Sequence, residues 1–119
     1  MFEASCHCGA VHIDVSRAPT HITECNCSTC RKFGTRWAYY TKDEITIHAA
    51  PDATVAYVHG DKTLETHHCR VCGCITHWWG ISTDAADRCA VNARLLPPKD
   101  IEGIRIRHFD GADSWTYLD

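Results

Sequence analysis

The sequence lacks an apolar run anywhere near the roughly 18 residues that a membrane-spanning helix needs, so no membrane partner is expected. It lacks an excess of charge of one sign. Twelve Lys and Arg stand against 15 Asp and Glu, for a net charge of −3. Without a basic field, neither nucleic acid nor an anionic membrane surface is expected as the main partner. The first ten residues lack the charged head and the apolar stretch of roughly 7–15 residues that form a secretory leader, and a cytoplasmic location is expected. Repeats, low-complexity tracts and linkers are also missing. A chain of 119 residues then reads as one domain over 1–119, large enough for a modest core.

What the chain has in abundance is cysteine, with nine residues. Eight fall in tight clusters: Cys6 and Cys8; Cys25, Cys27 and Cys30; Cys69, Cys72 and Cys74. Cys89 stands alone. An odd count without an export signal argues against a disulfide scaffold. Two cysteines one residue apart rarely bridge each other, yet both can ligate one ion. Soft thiolates select zinc, copper(I) or iron–sulfur clusters. The spacings match neither common iron–sulfur ligand run, which leaves zinc as the expected metal.

The clusters divide into two sites, so two zinc ions per chain are expected. Cys6 and Cys8 supply half of a closed structural site, and Cys69 and Cys72 can supply the other half. The two pairs lie about sixty residues apart, so the ion would remove much loop-closure entropy from the unfolded chain. Cys25, Cys27 and Cys30 give three thiolates from one loop. Three ligands and an open position form the pattern of a reactive zinc. The alternative is a second closed site with Cys74, Cys89 or a histidine as fourth ligand.

Strand signals dominate. Ala10–Val15, Trp37–Thr41, Ile45–His48, Thr54–Val58, Thr63–His68, Ile75–Trp79 and Cys89–Ala93 alternate or are rich in β-branched and aromatic residues. The pattern predicts an all-β sandwich or barrel-like pair of sheets with few short helices. One helical turn is expected from Ser28, as cap, to Gly34, and another after Lys99. Trp78 and Trp79 should face opposite sides of a strand.

Several residues carry both a functional and a plain structural reading. His77 reads as a proton donor or a core histidine. Arg31 and Arg94 read as clamps for a substrate carboxylate or as solvated surface groups. Asn92 is expected to share a strand face with Arg94. Cys74 reads as a spectator thiol or an occasional ligand, and Cys89 as a small buried apolar residue. His67 and His68 can support the Cys69 site through hydrogen bonds. Asp110 and Asp113 read as turn residues.

Three blocks carry a specific resemblance: Ser5-Cys6-His7-Cys8-Gly9-Ala10-Val11, Cys25-Asn26-Cys27-Ser28-Thr29-Cys30-Arg31-Lys32 and Cys69-Arg70-Val71-Cys72-Gly73. Together they resemble the glutathione-dependent formaldehyde-activating enzyme family, also called the centromere protein V/formaldehyde-activating domain. The late segment His108 to Trp115 is similar to that family's usual ending. The resemblance implies two short antiparallel sheets splayed as a β-tent. It implies a structural zinc at Cys6, Cys8, Cys69 and Cys72, and a second zinc at the catalytic trio Cys25, Cys27 and Cys30. The activity it implies is carbon–sulfur lyase chemistry, joining glutathione to formaldehyde to give S-hydroxymethylglutathione.

That chemistry suits the residues. A free thiol is mostly protonated at neutral pH, and zinc coordination deprotonates it. Three protein thiolates leave the ion a weak Lewis acid, so its role would be to position a thiolate rather than polarise a carbonyl. Two rival readings remain at this level. One is a thiol-binding carrier without turnover, and the other a structural two-zinc interaction domain.

Overall fold

Alternating apolar and polar side chains bury one face of a strand and leave the other wet. The computed structural model describes residues 2–119 and shows ten strands built largely on that pattern. They are β1 (Phe2–Ser5), β2 (His12–Val15), β3 (Ile22–Cys25), β4 (Trp37–Thr41), β5 (Ile45–His48), β6 (Thr54–Val58), β7 (Leu64–Cys69), β8 (Ile75–Gly80), β9 (Arg88–Asn92) and β10 (Ile106–Phe109). Two short helices, α1 (Ser28–Phe33) and α2 (Pro98–Ile101), complete the regular structure together with brief 3-10 turns. None of the described helices is long and apolar enough to cross a membrane.

The strands form two sheets, one of three strands in the order β1-β2-β5 and one of seven in the order β10-β3-β4-β9-β8-β7-β6. The mostly-β, two-sheet architecture expected from the sequence is therefore present. One pair departs from the antiparallel expectation. Strands β10 and β3 run parallel, with Ile106 opposite Ile22 and Phe109 opposite Cys25. A parallel pair needs a long crossover, and residues 26–105 lie between these two strands.

The main core lies between the sheets. In β2, Ile13 and Val15 are fully buried while His12 and Asp14 are half-exposed. They pack with Ala4 and Val11 in one cluster with Ala38, Tyr40, Cys89 and Val91 of the large sheet. Each fully buried aliphatic side chain here contributes about 1.5–3 kcal/mol through removal from water. The alternate residues of the large sheet, Trp37, Trp78 and Ala90, build a second, smaller core, with Tyr39 and Cys30 packed on it. Trp78 and Trp79 do part company: Trp79 packs against the first core, with Lys42 Nζ 4.5 Å from its ring centroid.

The seven segments marked by sequence pattern each overlap a strand. Strands β1, β3 and β10 were not marked. Each has only four residues. In β3 the buried residues Ile22 and Thr23 are adjacent, so no alternation announces the strand. Helix α1 buries none of its residues, and a six-residue helix has little stability of its own. Its ends hold it. Gly34 is the C-cap, as expected, but the N-cap is Cys27 rather than Ser28, and the Cys27 sulfur accepts from Cys30 N. Helix α2 begins at Pro98, just before the expected position.

Candidate metal centres and the cavity beside them

The first centre joins two distant pieces of chain. Cys6 and Cys8 lie in the turn after β1, Cys69 ends β7, and Cys72 follows in the next turn. All four sulfurs lie within 4.8 Å of one another. Cys8 Sγ is 3.7 Å from Cys6 Sγ and 3.6 Å from Cys69 Sγ. Disulfide sulfurs would be about 2.05 Å apart. Four sulfurs placed tetrahedrally about 2.3 Å from a zinc ion stand about 3.8 Å from one another. The spacing and the all-thiolate donor set therefore fit a zinc-sized ion.

Backbone geometry prepares these sulfurs. Val11 N donates to Cys6 Sγ at 3.3 Å. The chain turns tightly after Cys69, where Gly73 N donates to Cys69 O at 3.0 Å. Gly73 adopts φ 80°, a conformation glycine takes without steric cost. The N–H of Cys74 pulls the Cys72 thiol down to about 5, against the opposing effect of burial. Cys74 stands outside the group of four. Neither nitrogen of His67 supports a sulfur: Nδ1 meets Thr54 Oγ1 and Nε2 meets Glu65.

The second centre is local. Strand β3 delivers Cys25, Cys27 caps α1, and Cys30 lies in the first turn of that helix. Their sulfurs also lie within 4.8 Å of one another. Cys27 N donates to Cys25 Sγ at 3.5 Å, and Cys30 N to Cys27 Sγ at 3.3 Å. Burial raises the Cys27 thiol, but N–H donors from Cys30 and Thr29 and the neighbouring thiols outweigh it, and its net shift is downward. Burial raises the Cys30 thiol, opposed by the Trp37 indole, whose Nε1 donates to Cys30 Sγ at 3.4 Å. Among the described residues no fourth Cys, His, Asp or Glu joins this trio. Cys89 is buried in the main core, donates to Tyr40 O at 3.6 Å and has its thiol pushed up to about 12 by burial. The donor set and spacing again fit a thiophilic ion, here with three protein ligands.

A cavity of about 410 Å³ opens beside the trio. Cys25 and Cys30 form part of its wall, and Arg31 and Arg94 line it too. The structure thus brings together two arginines more than sixty positions apart in sequence. Arg94 is not in a strand with Asn92, as expected. Strand β9 ends at Asn92, and Arg94 lies in the 3-10 turn Ala93–Leu95. Asn92 Oδ1 accepts from Arg94 N at 3.2 Å, and that cap turns the arginine out to solvent at the cavity.

No functional role was expected for the other wall residues. Glu24 precedes Cys25, and its carboxylate meets Arg36 Nε at 3.4 Å and His108 Nε2 at 3.2 Å. His108 Nδ1 meets Asp119 at 2.7 Å, which raises the histidine pKa. Thr35 is buried, and its Oγ1 has no hydrogen-bond partner. The parallel pairing of β10 with β3 places His108 beside Glu24, a neighbour relation invisible in the sequence. His77 does not line this cavity. It is buried, stacked on His67 with ring centroids 4.5 Å apart, and burial pushes its pKa down to about 3.

Fold and centres define a class: a two-sheet β protein with one four-thiolate cluster clasping distant segments and one three-thiolate cluster facing a cavity. The chain belongs to the glutathione-dependent formaldehyde-activating enzyme family, which residues 1–101 match. A crystal structure of a Rhodobacter sphaeroides protein is similar, with a TM-score of 0.70 and 26% sequence identity. The likeness covers 87% of this chain and 98% of that one.

Proposed function

We propose that this protein is a zinc-dependent carbon–sulfur lyase-type enzyme that joins glutathione to formaldehyde and releases the adduct again. The observation that carries this reading is the cavity in which the Cys25 and Cys30 walls meet Arg31 and Arg94. Family membership adds the chemical class of the reactants.

Cys25, Cys27 and Cys30 would hold the reactive ion, and Cys6, Cys8, Cys69 and Cys72 a structural one. The reactive ion supplies the positive charge that keeps an incoming thiol deprotonated at neutral pH. Arg31 and Arg94 bind the carboxylates of the tripeptide, since guanidinium groups pair with carboxylates through two parallel N–H donors. This fixes where the substrate sulfur rests and converts a bimolecular encounter into a positioned one. The sulfur forms a bond to the carbonyl carbon, the C=O π pair moves onto oxygen, and that oxygen takes up one proton. The thiol has given up one proton, so the step is balanced without oxidant or reductant. His108, held between Asp119 and Glu24 on the cavity wall, is the titratable pair member through which that proton exchanges with solvent. Nine free cysteines suit a reducing compartment such as the cytoplasm.

The test mixes metal-loaded protein with glutathione and formaldehyde and follows adduct exchange by NMR. The expected result is exchange well above the uncatalysed rate, lost in Cys27→Ser. Exchange at the uncatalysed rate would overturn the enzymatic reading, and saturable glutathione binding in that case would identify a carrier.

A further inference from the structure

The segment after β10 turns back onto the cysteine trio. Phe109 and Leu118, which flank it, line the cavity, as does Asn26, whereas residues 110–115 do not. The approach is close. A methyl group on Gly111 would stand 2.6 Å from Cys25 Sγ, 3.3 Å from Cys27 Cβ and 3.5 Å from the Trp115 ring. No side chain fits there, so glycine is required by the contact itself.

Asn26, the residue between the first two cysteines, grips this segment at two points. Its Nδ2 donates to Asp110 Oδ1 at 3.0 Å, and its Oδ1 accepts from Ala112 N at 3.0 Å. Asn26 N also donates to Phe109 O at 3.2 Å. The second carboxylate oxygen of Asp110 accepts from Ser114 N and Ser114 Oγ. Trp115 N donates to Asp110 O at 2.7 Å, which closes the turn. Trp115 has φ 58°, a left-handed conformation costing roughly 1–3 kcal/mol outside glycine. Its indole rests edge-on against Phe109, at a centroid distance of 5.1 Å. Further on, Tyr117 OH meets Thr23 Oγ1 at 2.9 Å, and Asp119 meets His108. The segment is therefore anchored on both sides of its contact with the trio.

We infer that Asp110–Trp115 is a positioning strap for the second metal centre, pinned by the Asn26–Asp110 pair and fitted through Gly111. Asn26 and Asp110 are positioning residues, acting through Cys25 and Cys27. The strap fixes the two sulfurs that lie outside the packed α1–Trp37 contact, and it leaves the cavity as the side from which a ligand reaches the trio. The inference rests on the second centre binding a metal, and it does not depend on which reaction follows there.

The test uses the full chain loaded with cobalt(II), whose visible bands report thiolate number and geometry. Each site's affinity is measured by competition with a chromophoric chelator. Asn26→Ala should weaken the second site by roughly ten- to a hundredfold, the usual effect of removing a partner that orients a ligand, and leave the first site unchanged. Gly111→Ala should alter the cobalt bands of the second site only. Asn26→Asp sets two carboxylates face to face and should weaken the site as well. Combining it with Asp110→Asn exchanges amide and carboxylate, restores one donor against one acceptor, and should recover most of the lost affinity. Asn26 is exposed, so these changes leave the core alone. Unchanged second-site affinity and bands would overturn the inference. So would parallel loss of both sites, which marks a merely structural role, a double variant no better than Asn26→Asp, or a wild-type chain that takes up only one cobalt ion.

Discussion

Removing the ion from the four-cysteine centre should cost far more stability than removing it from the trio. The reason is loop length. The contact between Cys8 and Cys69 spans 61 residues. Treated as a cross-link, closure of a loop that long removes about 14 cal/mol/K of unfolded-state entropy, or about 4 kcal/mol at room temperature. The trio closes only the five-residue step from Cys25 to Cys30, for which the same relation gives about 2 kcal/mol. Cys72→Ser should therefore destabilise the metal-loaded protein by about 2 kcal/mol more than Cys27→Ser. In thermal melts a loss of about 4 kcal/mol lowers the midpoint of a domain this size by roughly 15 °C. The assay is urea unfolding of both variants and of wild type, with and without a zinc chelator. A chelated wild-type protein with an unchanged midpoint would refute the reasoning, as would equal destabilisation by the two substitutions.

Arg31→Ala and Arg94→Ala should each raise KM for glutathione roughly tenfold with little change in kcat, the loss of one charge-assisted contact. Lys32→Ala, off the cavity wall, serves as the control, and steady-state kinetics decides. Burial holds His77 neutral with a pKa of about 3, whereas an unfolded histidine takes a proton near 6.5. Stability is thus full above that upper value and falls by about 1.4 kcal/mol per pH unit between the two. His77→Gln should flatten this acid limb in urea midpoints taken at pH 7 and pH 5, and an unchanged slope counts against it. Thr35 keeps a buried hydroxyl without a partner. Thr35→Val should stabilise the fold by about 1 kcal/mol, read as a higher unfolding midpoint. Cys89→Ala should leave the metal count at two, because this thiol joins neither cysteine group and donates to Tyr40 O instead; elemental analysis checks it.

The two cysteine clusters were legible in the sequence because cysteine spacing is a local property. C-x-C and C-x-x-C place sulfurs on one short turn whatever the rest of the chain does. Strands β4 and β9 of the large sheet were legible for a similar reason, since Ala38, Tyr40, Cys89 and Val91 alternate with residues of the opposite face. The pairing of β10 with β3 was not, because nothing within four residues encodes which distant edge a strand will join. With it went the cavity's Glu24–His108 contact. Arg94 lines the cavity, but its local geometry differs from the expectation: the Asn92 side chain caps a turn where alternation had implied a continuing strand. Asn26 was given no role beyond its place in the cysteine motif. Its grip on Asp110 and Ala112 depends on the chain returning more than eighty residues later, and no spacing rule carries that information. Cys27 as helix cap was missed because Ser28 is the more usual capping type, while the sulfur here takes the role in addition to facing its two neighbours.

The most direct measurement is the zinc content per purified chain, combined with X-ray absorption at the zinc edge before and after adding glutathione. We expect two ions per chain. One should have four sulfur neighbours throughout, and the other three sulfurs and a light, exchangeable ligand that glutathione replaces with a fourth sulfur. A metal-free chain, or two centres that both keep four protein sulfurs and ignore glutathione, would contradict the proposal.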